Sequence, residues 1–124
     1  MLTGLDKLRK EKGMNIIIIA HGAVVRIEDP QFEAYDKWSL KIHKKARAVI
    51  QEWADVIMFA AYEQMTRKIG ESFGQDKFKV IGDGTRVLHT NEKPAFDAKT
   101  RYLLPETLPL EFEAFQNAIN EARR

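Results

Sequence analysis

Several side chains that could carry chemistry lie in short segments of this 124-residue chain, and the first of them is a histidine. His21 closes the segment "NIIIIAH", in which four isoleucines follow one another. If the isoleucines form a buried strand, the imidazole lies at the strand end where open α/β sheets bind ligands. There it could sense a phosphate or position a water molecule. The alternative is a histidine that only caps the strand through local hydrogen bonds.

A run of basic residues without an acid occupies positions 37–47. On one face of a helix, such side chains suit contact with the phosphates of a nucleic acid, although a solvated helix face can have the same composition. The preceding residues 22–36 are acidic and contain Arg26 as their only cation, so an acidic loop folded over a basic helix is an open alternative. The basic residues are Lys37, Lys41, Lys44, Lys45 and Arg47.

A third segment, "EKPAFDAKTRY", mixes cations with aromatic rings. Its cations are Lys93, Lys99 and Arg101, and its rings belong to Phe96 and Tyr102. Cations near aromatic side chains can reach the phosphates of a partner or stack on its bases. An edge loop with ordinary surface charge is the alternative, and the sequence alone favours it.

The composition excludes several classes of site. The chain has no cysteine, which excludes disulfides and thiolate zinc sites. Its histidines, His21, His43 and His89, lack the spacing of metal ligands, so we expect no metal site. No Walker A sequence is present, since "GESFG" continues with Gln75, and this argues against nucleotide binding by the chain alone. No apolar run approaches the roughly 20 residues of a membrane span, so we expect no membrane association.

The pattern of elements indicates an α/β protein. A helix ends at Lys12 with Gly13 as its C-cap, and the β-branched run 14–20 is typical of a strand covered on both faces in a parallel sheet. An irregular segment over 22–36 precedes a helix over 37–53, whose apolar stripe follows a spacing of three or four residues. Further expected elements are strands at 54–62 and 85–90, a flexible connection or hairpin at 70–84, and a terminal helix at 111–124.

The length fits one domain, which we place at residues 1–124. Strands covered on both faces need sheet neighbours and two layers of helices, and the pattern offers only two such strands and three helices. The chain is therefore expected to be the C-terminal part of a larger fold, or to complete its layers with a second copy of itself. A small self-sufficient α+β domain is the alternative.

Three stretches carry a resemblance to a known family. "LDKLRKEKGMNIIIIAH", "EDPQFEAYDKWSLKIHKKARAVIQEWADVIMFA" and "RVLHTNEKPAFDAKTRYLLP" resemble the C-terminal half of phage RecA-like ATPases. These are AAA-type proteins of single-strand annealing, often labelled phage nucleotide-binding proteins. The resemblance covers roughly residues 5–110, and its most specific pieces are "KIHKKA", "IQEWAD" and "KPAFDAKTR".

The resemblance implies a partial RecA-like core of the P-loop NTPase type, with a largely parallel sheet, three helices and at least three strands. The phosphate-binding loop and the acidic Mg²⁺-binding strand of that core precede the helix that opens this sequence. ATP and Mg²⁺ are therefore implied for the intact protein and not for this chain, which we expect to be inactive alone. The isoleucine strand would be a middle strand of the larger sheet.

The resemblance also implies roles for single residues. His21 would sense the γ-phosphate and pass the nucleotide state to residues 22–36, where Arg26 is the expected contact with single-stranded DNA. One of Lys93, Lys99 and Arg101 would act on the nucleotide of a neighbouring subunit, as an arginine finger does. Lys37, Lys41, Lys44 and Lys45 are the further expected DNA contacts.

The expected function is DNA recombination or single-strand annealing, by a homo-oligomer in the cytoplasm of a bacterial host. Two alternatives stay open. One is a non-enzymatic module for nucleic-acid binding or self-association. If the module binds DNA, its affinity should fall steeply as the salt concentration rises. The other is an inactive prophage remnant that covers its apolar strand edges by aggregation or by symmetric dimerisation.

Overall fold

The computed structural model describes residues 2–63, 65–72, 75–81 and 84–123. These residues contain three helices and nine strands, which confirms the α/β class and agrees with a partial AAA or RecA-like domain. The chain divides into two compact units: residues 1–54 with 94–96, and residues 55–93 with 97–124. None of the helices in the described ranges is both long and apolar enough to span a bilayer.

The first unit contains two helices and a β-hairpin. Gly13 has a φ of 63°, which confirms the predicted C-cap of the first helix, because glycine adopts this left-handed conformation without strain. The Trp53 indole donates a hydrogen bond of 2.8 Å to the Asp6 carboxylate and so joins the two helices. In chain order the elements are α1 (Leu2–Lys12), β1 (Gly22–Ile27), β2 (Tyr35–Leu40) and α2 (Lys44–Trp53).

The isoleucine segment, which we define as residues 14–20, has no regular secondary structure, so the predicted buried strand is wrong. Ile17 and Ile19 are 74% and 94% exposed. Among the described residues, positions 15–20 make no backbone hydrogen bond. β-branched residues favour a strand only where a neighbouring strand accepts and donates the backbone hydrogen bonds. The described part of the first unit supplies no such neighbour.

Residues 22–40 form a hairpin, where the sequence predicted an irregular segment followed by the start of a helix. β1 and β2 pair antiparallel, and between them the Asp29 carboxylate accepts a hydrogen bond of 2.8 Å from Gln31 N. Such an Asx turn reverses the chain locally. Burial alternates along β2, with Lys37 and Ser39 buried and Trp38 44% exposed. Strand pairing therefore overrides the helical spacing that starts at Trp38.

The second unit consists of small antiparallel sheets and the last helix. The strand predicted at 54–62 is divided into two, whereas the strand at 85–90 and the terminal helix are confirmed. The antiparallel pairing of residues 65–72 with 75–81 agrees with the hairpin alternative of the flexible connection or hairpin predicted at 70–84, of which residues 73–74 and 82–83 lie outside the described ranges. The elements are β3 (Val56–Ile57), β4 (Phe59–Tyr62), β5 (Met65–Ser72), β6 (Gln75–Ile81), β7 (Arg86–His89), β8 (Lys99–Thr100), β9 (Thr107–Pro109) and α3 (Phe112–Ala122).

All the paired strands in the described ranges are antiparallel. The sheets are β1–β2, β3–β8, β4–β7–β9 and β5–β6. The largely parallel sheet that the resemblance implied is therefore wrong for these residues. A parallel pair needs a crossover of about a dozen residues or more, whereas only residues 28–34 separate β1 from β2.

The buried apolar side chains of the described residues all belong to the second unit. Thr90 lies among them with 0% exposure, and its hydroxyl donates to the carbonyl of Pro105 while its N–H donates to the carbonyl of Glu106 at 3.0 Å. The first unit has hydrogen bonds and partly buried side chains but no such apolar core. The core residues are Val87, Ala98, Leu104, Leu108 and Ile119.

Candidate functional site

His21 lies directly before β1, and not after a strand as the sequence predicted. Its carbonyl accepts a hydrogen bond of 2.8 Å from Lys41 N, which extends the β1–β2 ladder by one step. The side chain is exposed. The backbone of His21 is thus fixed by the hairpin while its ring is accessible, and the role of nucleotide sensor stays a prediction.

Three exposed lysines surround the start of α2: Lys41, Lys44 and Lys45, which we call the lysine cluster. Lys41 lies in the turn after β2, and the other two open the helix. The first turn of α2 has no acidic residue. Within the described ranges, none of the three ammonium groups forms an ion pair. The cluster is therefore available to an anionic partner.

The neighbours of the lysine cluster hold the start of α2 in place. His43 is the N-cap, and its Nδ1 accepts a hydrogen bond of 3.3 Å from Lys45 N. Arg47 folds back, so that its Nε donates to the Leu40 carbonyl at 3.0 Å and its Nη2 to the Ile42 carbonyl at 3.2 Å. Arg47 is thus a structural residue that joins α2 to the end of β2. The cap was not predicted from the sequence, although a histidine directly before a polar helical run was a signal for it.

Lys37 and Arg26, two of the predicted DNA contacts, both lie in the β1–β2 hairpin. Lys37 is on β2 and only 8% exposed, so it does not share a helix face with the lysine cluster. The helix begins at Lys44 because His43 caps it there and the hairpin uses the residues before. Arg26 lies opposite Asp36 in the hairpin and pairs with its carboxylate at 3.3 Å. Both roles in DNA contact stay predictions, and the exposed lysines are the better placed residues.

The cations expected to act on a neighbouring subunit all belong to the second unit. Lys93 Nζ lies 3.8 Å from a carboxylate oxygen of Glu106, and the Arg101 guanidinium pairs with the Asp55 carboxylate. Arg101 N also donates to the Asp55 carbonyl at 3.0 Å, in line with the β3–β8 pairing. Lys99 is half-buried in β8. To act on the nucleotide of a neighbouring subunit, Lys93 or Arg101 must leave its carboxylate partner and pair with a phosphate.

His89, a histidine with a lowered pKa, lies close to Lys93. The ring of His89 stacks on Phe59, with centroids 6.2 Å apart and an interplanar angle of 23°. Burial, and then the positive charge of Lys93, lower the pKa of His89 from its ordinary value of 6.5. The imidazole is therefore neutral at pH 7. Its ring packs against Phe59 within the sheet.

Whether this chain contributes to a nucleotide site is a question that its described residues address only for metal ligands. No group of three or more His, Asp or Glu side chains in the described ranges could hold a metal ion. The sequence has no Walker A motif, and the expectation that only the intact protein binds ATP and Mg²⁺ stays a prediction. We therefore derive no hydrolytic step from these residues.

An open cleft of about 210 Å³ lies at the β4–β7 pair in the second unit. Its lining includes an exposed tyrosine and an exposed arginine, which the sequence reading did not single out. A signal existed: Tyr62 ends one apolar run and Arg86 begins the next, so a hairpin between the runs brings the two residues together. The lining residues are Ala60, Ala61, Tyr62, Arg86 and Leu110.

Comparison with known protein families gives a match over most of the chain. The sequence model of an AAA domain family matches residues 1–102, which include all the candidate residues described above except Leu110 and Glu106. No curated protein matches the chain. No solved structure matches it either. Because the family match extends over most of the sequence, the chain belongs to this family of AAA domains, whose members are nucleotide-binding domains.

Proposed function

We propose that this chain is the DNA-contacting, C-terminal part of a phage RecA-like ATPase that acts in recombination or single-strand annealing. Membership of the AAA domain family supports the link to a nucleotide-driven protein. The observation that carries the DNA contact is the lysine cluster: Lys41, Lys44 and Lys45 are exposed, close together in the chain and not opposed by an acid in the first turn of α2.

The electrostatics of a helix start favour an anion at this place. The first N–H groups of a helix and its macrodipole place partial positive charge at the N-terminus. Lysines there raise the local positive potential, which destabilises the helix slightly when no anion is bound. A DNA phosphate would bind to the lysines and relieve this repulsion. Since phosphates recur along a strand, the site needs no particular base sequence.

ATP and Mg²⁺ enter this proposal only for the intact ATPase. There, His21 would sense the nucleotide, and its carbonyl bond to Lys41 N is a direct link to the lysine cluster. Arg101, released from Asp55, would present a planar guanidinium to the nucleotide of a neighbouring subunit. Lys93 and Lys99 are the other candidates for this contact, which also makes the proposed active form a homo-oligomer.

A binding experiment with the purified chain tests the DNA contact. Fluorescence anisotropy of a labelled oligo-dT should show binding at low salt, and the double variant Lys41→Glu/Lys44→Glu should weaken it by about tenfold or more. The matched control is Lys7→Glu/Lys10→Glu, which makes the same change of charge on exposed residues of α1. Equal binding by the two variants would contradict the proposal.

Self-association is a second candidate function, and the isoleucine segment favours it. Ile17, Ile18 and Ile19 are 74%, 47% and 94% exposed in a stretch without charge, proline or glycine. Unpaired backbone next to exposed β-branched side chains is a template for pairing with a second strand. An antiparallel pair of two such segments would bury the isoleucines and satisfy their backbone groups.

Sedimentation velocity tests this second candidate. Ile17→Lys/Ile19→Lys should shift the chain from dimer or larger species to monomer, because charge disfavours strand pairing at an edge. Phe112→Lys is the control, since Phe112 is also mostly exposed, at 68%, but lies in α3. A wild-type chain that is monomeric at high concentration would rule the candidate out.

A further inference from the structure

The β4–β7 cleft combines an aromatic ring with a cation on the same side of a sheet. Tyr62 and Arg86 are directly opposite in the antiparallel register, and such a pair has its Cβ atoms about 5 Å apart on one face. Tyr62 is 62% exposed. Arg86 is exposed too, and its guanidinium has no hydrogen bond or ion pair with another described residue. The ring and the cation are thus both available to a ligand.

The rest of the lining is small and apolar. Ala60, Ala61 and Leu110 form it, and none of the described lining residues is acidic. A volume of about 210 Å³ is below the roughly 300–1,000 Å³ of pockets that enclose a whole small molecule. The cleft therefore suits one flat ring with an attached anion that extends into solvent, and does not suit an enclosed cofactor.

Single-stranded DNA matches this pair of groups. Each nucleotide combines a flat base, which stacks on an aromatic side chain, with a phosphate, which a guanidinium binds through paired N–H donors. An acidic peptide would use the cation but has no general need for an exposed aromatic ring beside it. The edge position of β4 in the β4–β7–β9 sheet leaves the ring accessible to a passing strand.

We propose that Tyr62 and Arg86 bind one nucleotide of single-stranded DNA, with the base on the phenol ring and the phosphate on the guanidinium. This inference rests on the proposed function, because it adds a contact in the second unit for the DNA that the lysine cluster binds. The two contacts differ in kind. The lysine cluster is purely electrostatic, whereas the cleft adds stacking and hence a contribution that salt does not screen.

Oligo-dT binding across a salt series tests the proposal with the intact chain. Tyr62→Ala should weaken binding about tenfold without changing the slope of log affinity against log salt, and Tyr62→Phe should retain the affinity. Arg86→Ala should weaken binding and make the slope shallower by about 0.7, the value for one lost phosphate contact on a single strand. The side chains of Tyr62 and Arg86 are exposed, so we expect each variant to fold, and thermal melting checks this.

Two controls separate stacking from general charge effects. Phe112→Ala removes a similarly exposed ring in α3, where Phe112 is 68% exposed, and should not alter DNA binding. Heparin, a polyanion without bases, should bind wild type and Tyr62→Ala equally. Equal loss of heparin and oligo-dT by Tyr62→Ala would overturn stacking of a base, and so would unchanged oligo-dT binding by that variant.

The oligo-dT affinities of the variants also distinguish failure of the cleft from failure of the lysine cluster. If the Lys41→Glu/Lys44→Glu variant loses DNA binding while Tyr62→Ala and Arg86→Ala retain it, the cleft is overturned and the proposed function stands. If the cleft variants lose binding and the lysine variant retains it, the cleft stands and the lysine cluster is overturned. A wild-type chain that does not bind oligo-dT overturns both.

Discussion

At the scale of single residues, Arg47 shows how a cation of the basic run can be structural. Its two hydrogen bonds to the carbonyls of Leu40 and Ile42 join α2 to the hairpin. We expect Arg47→Ala to lower the free energy of unfolding by about 1.5–3 kcal/mol, since hydrogen bonds from a charged donor are lost. Urea unfolding followed by tryptophan fluorescence measures this, because Trp38 and Trp53 both belong to the first unit.

The control for this prediction is Lys45→Ala, which removes an exposed cation two positions earlier on the same helix. Its unfolding curve should match the wild type within about 0.5 kcal/mol. If Arg47→Ala and Lys45→Ala have the same free energy of unfolding, the hydrogen bonds of Arg47 do not stabilise the contact between α2 and the hairpin.

His89 gives a prediction about pH. Its pKa is lowered in the folded chain by burial and by Lys93, so the unfolded chain takes up a proton near pH 6.5 while the folded chain does not. Stability is therefore complete above pH 6.5 and falls as the pH drops below that value toward the lowered pKa. Thermal melting at pH 7.5 and pH 5.5 should show a lower melting temperature at the acidic pH.

Two variants show whether His89 causes this pH effect. His89→Gln cannot be protonated and should lose much of the difference between the two pH values. His21→Gln changes an exposed histidine and should keep the difference. An unchanged pH dependence in His89→Gln would assign the effect to other groups.

At the scale of elements, the hydrogen bond between Trp53 and Asp6 is the contact to test. It joins α1 and α2 across 47 positions of sequence, and Asp6 also pairs with Arg9 at 3.1 Å. Asp6→Ala should destabilise the first unit by about 1 kcal/mol, since the indole N–H loses its acceptor. A shift of the tryptophan emission maximum would accompany the loss.

The matched variant is Asp6→Asn, which retains an acceptor oxygen for the indole. It should recover most of the stability that Asp6→Ala loses. A near-UV circular dichroism spectrum that is identical for wild type and Asp6→Ala would contradict the contact.

The elements also show how far the sequence can be interpreted. The end of α1 before Gly13 was predictable, because a glycine is a common C-cap. The strand β7 and the helix α3 were predictable from the spacing of their apolar residues. The β1–β2 hairpin was not, since Lys37 and Ser39 face inward while Trp38 is 44% exposed, against their usual preference. That inversion depends on strand pairing, which no local pattern encodes.

The candidate site was predictable to a similar degree. The exposed lysines could be found from the run of basic residues without acids, because exposure is the default for lysine. The ion pairs of Arg26 with Asp36 and of Arg101 with Asp55 could not, since they join residues 10 and 46 positions apart. The isoleucine segment was misjudged because a strand needs a partner as well as a suitable composition.

At the scale of the whole molecule, we expect that the purified chain does not hydrolyse ATP above background. The sequence lacks a Walker A motif, and the described residues hold no group of His, Asp or Glu suited to a metal ion. A phosphate-release assay with ATP and Mg²⁺ measures this, with and without oligo-dT. Turnover by the wild-type chain that His21→Ala abolishes would contradict the prediction.

The salt dependence of single-stranded DNA binding shows whether the lysine cluster contacts phosphates. The slope of log affinity against log salt is about −0.7 for each phosphate contact on a single strand, so Lys41→Ala/Lys44→Ala/Lys45→Ala should make it shallower by about 2. The control, Lys7→Ala/Lys10→Ala/Lys12→Ala, removes the same charge from α1. We expect a change of slope in the first variant and not in the second. Identical slopes for wild type and both variants would contradict it.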